Sequence, residues 1–273
     1  MLEGKAVPAA RAVILGVVQG LTEFLPVSSS AHLVLLARLG RWRKDSLDLE
    51  VALHLGCLLA LLAAFRGEWS WLLRSGLTGT DPNARALLAS LLLACIPASV
   101  AGVVLERYAR GTFRRLPQIA ALTALMGGVL ILADHVLGSD RGLLQVTWRD
   151  GLVIGLAQAL ALLPGVSRSG VTITAGVLLG FSLPAAVSFS FLLAAPILAG
   201  AGLWGLRHLS WRGIPRGERQ TMAIGLITAA LVGYFAITFM LRVIAHIHLT
   251  PFGLYRLLFA LLLWRLASTR QAD

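Results

Sequence analysis

Long apolar stretches recur along the chain at 48–66, 84–106, 116–137, 184–206, 219–243 and 251–268. Each is close to the about 20 residues that a helix needs to cross about 30 Å of hydrocarbon. They lack period-two alternation and run to about twice the length of a barrel strand, which excludes a transmembrane barrel. The pattern predicts six membrane-spanning helices. Two further apolar stretches, 9–39 and 149–180, are different in kind. Each is interrupted near its middle by a proline and a serine-rich turn, and neither arm alone is a comfortable span.

The two interrupted stretches echo each other. When GVVQGLTEFLPVSSS (16–30) is set above GLAQALALLPGVSRS (155–169), Gln19 falls over Gln158, and Ser28 and Ser30 over Ser167 and Ser169, with the proline displaced by one place. Paired broken segments in corresponding positions of two halves are the mark of an inverted repeat whose broken helices meet near the midplane. The expected architecture is an all-α polytopic membrane protein in one membrane domain, 1–273, with six transmembrane helices and two re-entrant helix hairpins. Repeat 1 covers about 9–137 (hairpin 9–39, spans 48–66, 84–106 and 116–137). Repeat 2 covers about 149–268 (hairpin 149–180, spans 184–206, 219–243 and 251–268). Three spans follow each hairpin, so the second copy enters from the opposite face. Non-helical backbone is tolerated at that depth only where protein buries it or water reaches it, so the two turns are expected to line a cavity.

Composition agrees: 57% hydrophobic and 14% charged residues with a mean hydropathy of +0.80 exclude an ordinary water-soluble domain. A net charge of +11 would suggest nucleic acid in a soluble protein. Here it fits anionic lipid, and no nucleic-acid partner is expected. The basic residues cluster between spans (Arg41, Arg43, Lys44; Arg107, Arg110, Arg114, Arg115; Arg207, Arg212, Arg216, Arg219). With both hairpins re-entrant these clusters share one side, which the positive-inside rule makes cytoplasmic. Arg256 then counts with the minority on the outer side, and Arg168 is left in the membrane. Trp42, Trp69, Trp71, Trp148, Trp204, Trp211 and Trp264 lie near the ends of apolar runs, as an interfacial belt. Cys57 and Cys95, both inside apolar runs, read as packed thiols. The N-terminal stretch AVILGVVQGLTEFLP carries Gln19 and Glu23 and no small-residue cleavage site after it, so it reads as retained structure and not as a removed signal.

The candidate chemistry sits in the two turns. An unpaired arginine at the centre of a membrane helix costs at least about 2.5–3.5 kcal/mol, so Arg168 needs a partner and a task. Gln19 and Glu23, four apart, share a helix face toward the turn containing Ser28, Ser29, Ser30 and His32. The second pole is Ser167, Arg168, Ser169 and Thr172. Both turns precede a new helix, so each can offer capping hydroxyls and free backbone N–H groups with a positive dipole end behind them, which is an anion site. Arg168 adds a fork of donors suited to two phosphate oxygens. Glu23 would repel a bare phosphate; it fits if a hard divalent cation bridges it to phosphate oxygens, or if it holds a histidine. Plainer readings stand beside these. Single serines can bond the backbone one turn back, Glu23 and Arg168 can form a buried structural ion pair, and His32 can be a satisfied polar group.

QGLTE followed by FLPVSSSAH, PGVSRSGVT, and the supporting stretches FSFLLAAPILAGAG and PFGLYRLLFALLL resemble the undecaprenyl-diphosphate phosphatase family, the bacterial membrane enzymes associated with bacitracin resistance. The likeness runs from about residue 11 to 268. It implies hydrolysis of undecaprenyl diphosphate to the monophosphate carrier of peptidoglycan synthesis, with a divalent cation (Mg2+ or Ca2+), at the outer side of the bacterial cytoplasmic membrane. Position by position, the resemblance implies that Glu23 holds the metal or activates the nucleophile, that Ser29 and His32 serve in attack or proton transfer, and that Arg168 binds phosphate with Ser28, Ser30, Ser167, Ser169 and Thr172. Gln19 stands where many members have a second glutamate; its amide oxygen can ligate a cation but cannot act as a base. Ser188 replaces an arginine often found before FSFLL. The rival class is an inverted-repeat transporter or flippase of a phosphorylated lipid or anion, since half-helix N-termini aimed at an anion also serve carriers. A carrier, however, has no need of Glu23 and His32 beside the anion site.

Overall fold

The computed structural model describes residues 9–40, 47–111, 115–136, 140–208 and 214–268. The basic loop residues Arg41, Arg43, Lys44, Arg114 and Arg212, with Trp42 and Trp211, lie outside them. In chain order the helices are α1 (Ala9–Phe24), α2 (Ser29–Leu39), α3 (Leu47–Ala64), α4 (Arg66–Trp71, continued by a π turn over Leu72–Gly76), α5 (Pro82–Gly111) and α6 (Leu116–Val136). A 3-10 turn at Leu143–Gln145 leads to α7 (Trp148–Ala159), which tightens into 3-10 geometry over Leu160–Leu162. Then follow α8 (Arg168–Leu178), α9 (Leu183–His208), α10 (Arg216–Val243) and α11 (Thr250–Ser268). The sole β pairing among the described residues is an isolated Arg141–Phe181 bridge. The protein is a helical, polytopic membrane protein. Among the described residues, five helices are long and apolar enough to cross a bilayer, at Pro82–Val104, Leu116–His135, Leu183–Arg207, Arg216–Val243 and Thr250–Ser268. A sixth candidate is the bent pair Asp48–Ala64 and Arg66–Gly76.

That bend departs from the expected span 48–66. The chain turns by 77° at Phe65, whose backbone leaves helical geometry (φ −105°, ψ 27°). Its ring is 3% exposed and meets Phe191 edge-on, with centroids 6.3 Å apart. Burying this ring while Arg66 and Glu68 stay exposed turns the next segment away from the axis of α3.

The two interrupted stretches do break where their prolines fall. Pro26 separates α1 from α2, and Pro164-Gly165 separates the α7 arm from α8. Their first arms pack through glycine. Cβ atoms added at Gly16 and Gly20 of α1 would lie 2.9 and 2.8 Å from backbone atoms of Gly225 and Gly233 in α10. One added at Gly155 of α7 would lie 2.5 Å from the Ala94 carbonyl oxygen in α5. Small residues are what lets membrane helices approach this closely. α3 packs on α9 and α10, and α6 on α11. The core gathers Phe24, Phe189, Phe191, Leu53 and Leu192, while Ile96, Val103, Leu231, Phe235 and Leu258 face outward as a lipid-compatible exterior.

Candidate active site

The turns after α1 and before α8 meet. Glu23, one residue from the end of α1, is 7% exposed, and its Oε1 lies 3.2 Å from Arg168 Nη2 at the start of α8. The other carboxylate oxygen accepts from Gln19 Nε2 at 3.0 Å and from Ser29 Oγ at 2.9 Å. The i, i+4 spacing of Gln19 and Glu23 thus gives a direct contact, and the chain reversal at Pro26 returns Ser29 to the same carboxylate. Arg168 Nη1 donates to the Ser190 carbonyl of α9 at 3.1 Å. The charged partner of Arg168 is therefore Glu23, the ion pair that sequence allowed as the plainer reading.

The second turn also grips the first through its serines. Ser169 Oγ donates to the Leu25 carbonyl at 3.0 Å, and the Gly165 N–H donates to Ser30 Oγ at 3.4 Å. Ser167 caps α8 by accepting from the Gly170 N–H at 3.2 Å. Ser28 does not cap α2, contrary to the expectation for both turns; its hydroxyl meets Ser30 Oγ at 3.2 Å. Thr172 lies behind Arg168, donating to its carbonyl at 2.8 Å and meeting Ser190 Oγ at 2.7 Å. Of the expected phosphate ligands, Ser28, Ser167, Ser169 and Thr172 are buried. Ser29, Ser30, His32 and Arg168 keep partial or full exposure, whereas Gln19 and Glu23 are buried behind them.

His32 stands apart from the Glu23 cluster. Its Nδ1 lies 2.7 Å from the Ser28 carbonyl. A carbonyl only accepts, so Nδ1 carries the proton, and in the neutral ring Nε2 accepts from the Tyr255 hydroxyl at 2.6 Å. The ring stacks on Phe259 at 4.1 Å. Both nitrogens are thus engaged by groups other than Ser29 and Glu23.

Arg256 corrects the sequence reading. It does not stand at an aqueous face but is fully buried, at 0% exposure, and it donates to carbonyls of both turns: Pro26 at 3.2 Å, Gly165 at 2.6 Å and Val166 at 3.1 Å. Its Nε reaches the Thr123 carbonyl of α6 at 3.2 Å. Ser190, Tyr255 and Arg256 were all missed from sequence. For Arg256 a signal existed, because the cost argument made for Arg168 applies equally to an arginine seven residues into α11. Gln158, the echo of Gln19, is not at the site; its Nε2 lies 3.4 Å from the Ala94 carbonyl in α5. Four residues on from it stands Leu162, where the first copy has Glu23.

Among the described residues, no three His, Cys, Asp or Glu side chains gather to form a protein-only metal site. Gln19 Oε1, however, is buried and accepts no hydrogen bond, since the amide must turn its N–H2 to Glu23. One carboxylate and one free amide oxygen are a hard-oxygen donor set of the kind that holds a divalent cation together with substrate phosphate. The residues fit the group.

Fold and site define a polytopic helical membrane protein with a buried glutamate–arginine pair where two proline-broken helices meet. The chain belongs to the bacitracin resistance protein BacA family, whose model matches residues 12–262. It is 44% identical over 252 residues to an undecaprenyl-diphosphatase of Geobacter metallireducens, covering 90% of this chain and 94% of the relative. Relatives of the same description are 41% identical in Pelotomaculum thermopropionicum (96% and 97% covered) and 43% identical in Moorella thermoacetica (93% and 95%).

Proposed function

We propose that this protein is a hydrolase of undecaprenyl diphosphate, releasing inorganic phosphate and the lipid monophosphate. The observation that carries the reading is the Glu23–Ser29–Arg168 contact inside a membrane protein of this family. Arg168 and Ser30 receive the phosphate oxygens, and the Arg168 charge meets the negative charge that develops on the transferring phosphoryl group. Ser29 Oγ attacks the terminal phosphorus while its proton passes to Glu23 Oε2, along the hydrogen bond already formed at 2.9 Å. The bridging P–O bond breaks, and its electron pair leaves with the lipid monophosphate. Water then adds to the phosphoserine phosphorus and keeps both its protons on the released phosphate, the Ser29 Oγ–P bond breaks, and the proton held by Glu23 returns to Ser29 Oγ. His32, tied to Ser28 and Tyr255, positions the turn and does not attack. Glu23 and Gln19 Oε1 would hold a divalent cation, Mg2+ or Ca2+, which when bound supplies charge neutralisation on the phosphate oxygens.

The inverted repeat, 9–137 and 149–268 with re-entrant hairpins, belongs to the same proposal. Helix pairing supports it: α1 packs on α10 as α7 packs on α5, and the first spans (α3, α9) and third spans (α6, α11) pair with each other. The same proposal places the chain in the bacterial cytoplasmic membrane, with the site opening outward and the product serving peptidoglycan synthesis and bacitracin resistance.

Phosphate release by purified protein in detergent is the test. Glu23→Ala and Arg168→Ala should each lower kcat/KM by about 100-fold or more, the cost of removing one preorganised charge-stabilising group. Single-turnover trapping should yield an acid-stable, base-labile phosphoserine that Ser29→Ala abolishes. Wild-type protein that moves the lipid between leaflets and releases no phosphate would instead be a carrier.

A further inference from the structure

Arg256 touches none of the groups assigned to the reaction, yet it is the most heavily bonded side chain at the meeting of the two turns. It lies in the apolar helix α11, fully buried, and its four hydrogen bonds all go to backbone carbonyls: Thr123, Pro26, Gly165 and Val166. No carboxylate is among its partners, so an ion pair does not explain it. A buried cation is expensive unless its donors are satisfied, and here the carbonyls satisfy them.

Which carbonyls they are gives the side chain its meaning. Gly165 and Val166 run directly into Ser167, and Pro26 stands two residues before Ser28. Ser28 and Ser167 are the non-glycine residues with positive φ among those described, at 76° and 74°. Each is followed at once by a site residue, Ser29 or Arg168. The base from which Arg256 reaches them is firm: α6 and α11 approach so closely that a Cβ on Gly127 would lie 2.9 Å from the Gly253 carbonyl oxygen. Thr123 Oγ1, from α6, also donates to the Gly165 carbonyl at 3.4 Å. One planar fork thus ties two separate backbone turns to one helix pair, which a compact lysine ammonium cannot do with the same directions.

We propose that Arg256 is a positioning residue for phosphate release, locking the two serine turns in the register that sets Arg168 against Glu23 and Ser29. This rests on the hydrolase reading above. A reacting group misplaced by about 1 Å costs about 100-fold in rate, so loss of the lock should appear in catalysis before it appears in folding.

The experiment compares wild type, Arg256→Lys and Arg256→Met, purified in detergent, with phosphate release from undecaprenyl diphosphate measured per monodisperse, folded molecule. Arg256→Lys should fold and lose about 100-fold in kcat with KM changed much less, and Arg256→Met should lose more. Wild-type kcat per folded molecule in both variants overturns the proposal, since a purely structural role lowers only the folded fraction. Failure of both variants to fold assigns Arg256 to folding and overturns it as well. So does a loss confined to KM, which would make Arg256 a substrate contact. Wild-type protein that releases no phosphate in the same assay removes the hydrolase reading itself, and a silent wild type is distinct from silent variants.

Discussion

Ser28 and Ser167 carry the same unusual backbone, φ near +75°, at equivalent places in the two turns. A side chain held in this sparsely populated region costs about 1–3 kcal/mol, which glycine avoids. That serine stands at both places says the conformation is imposed from outside, and the proposed lock of Arg256 on the carbonyls just upstream supplies that constraint. Ser28→Gly and Ser28→Ala both lose the hydroxyl contact to Ser30, so their difference reads backbone strain less the extra chain entropy of glycine. Ser28→Gly should be the more stable by about 1 kcal/mol, read as a higher thermal midpoint in detergent; the reverse order would mean that Ser28 is unstrained. The same residues show what was legible in the sequence. Gln19, Glu23, Ser29 and Arg168 could be found because side chain meets side chain at readable spacing or in echoed motifs. Arg256, Ser190 and Tyr255 could not be placed, because carbonyl acceptors occur at every residue and leave no mark in the sequence, and because the His32–Tyr255 contact joins positions 223 residues apart.

At the scale of elements, the first arms of the two broken helices are seated by glycine on long partners, and this fixes where their ends, and so the site, come to lie. The Cβ of an alanine at Gly155 would sit 2.5 Å from the Ala94 carbonyl oxygen, a backbone atom that cannot swing aside. Gly128, in the middle of α6, has nothing within 4 Å of the same added atom. Gly155→Ala should therefore cost about 1–3 kcal/mol through overpacking, with α7 pushed off α5. Gly128→Ala should be neutral or gain up to about 1 kcal/mol from helix propensity. Thermal midpoints of the two variants check this, and equal midpoints would reject the close seam between α5 and α7. Five of the six expected spans and the two proline breaks were readable from apolar run length and from the turn residues. The 77° bend after α3 was not, because apolar character continues to Phe65 and the turn is decided by the tertiary pocket around Phe191.

For the whole molecule, the proposed two-fold arrangement explains why the site is asymmetric. The paired turns supply matching backbones, but the first copy places Glu23 where the second has Leu162, and the second places Arg168 where the first has Ser29. One half contributes the carboxylate and hydroxyl, the other the cation, so neither half alone can stabilise and transfer a phosphoryl group. The pair sits inside a shell of outward-facing Leu, Ile, Val and Phe, and the hydrolase proposal has the lipid tail stay in the bilayer while its headgroup enters between helices. Each buried CH2 of such a tail contributes about 0.8 kcal/mol to membrane binding, so a long prenyl chain concentrates the diphosphate at the membrane that holds the enzyme. In proteoliposomes at equal bulk concentration, phosphate release should therefore be fastest from undecaprenyl diphosphate, slower from a fifteen-carbon prenyl diphosphate and slowest from inorganic pyrophosphate. Pyrophosphate turned over as fast as the lipid would mean that the headgroup arrives from water, through an opening facing one aqueous side, and lateral entry would have to be given up.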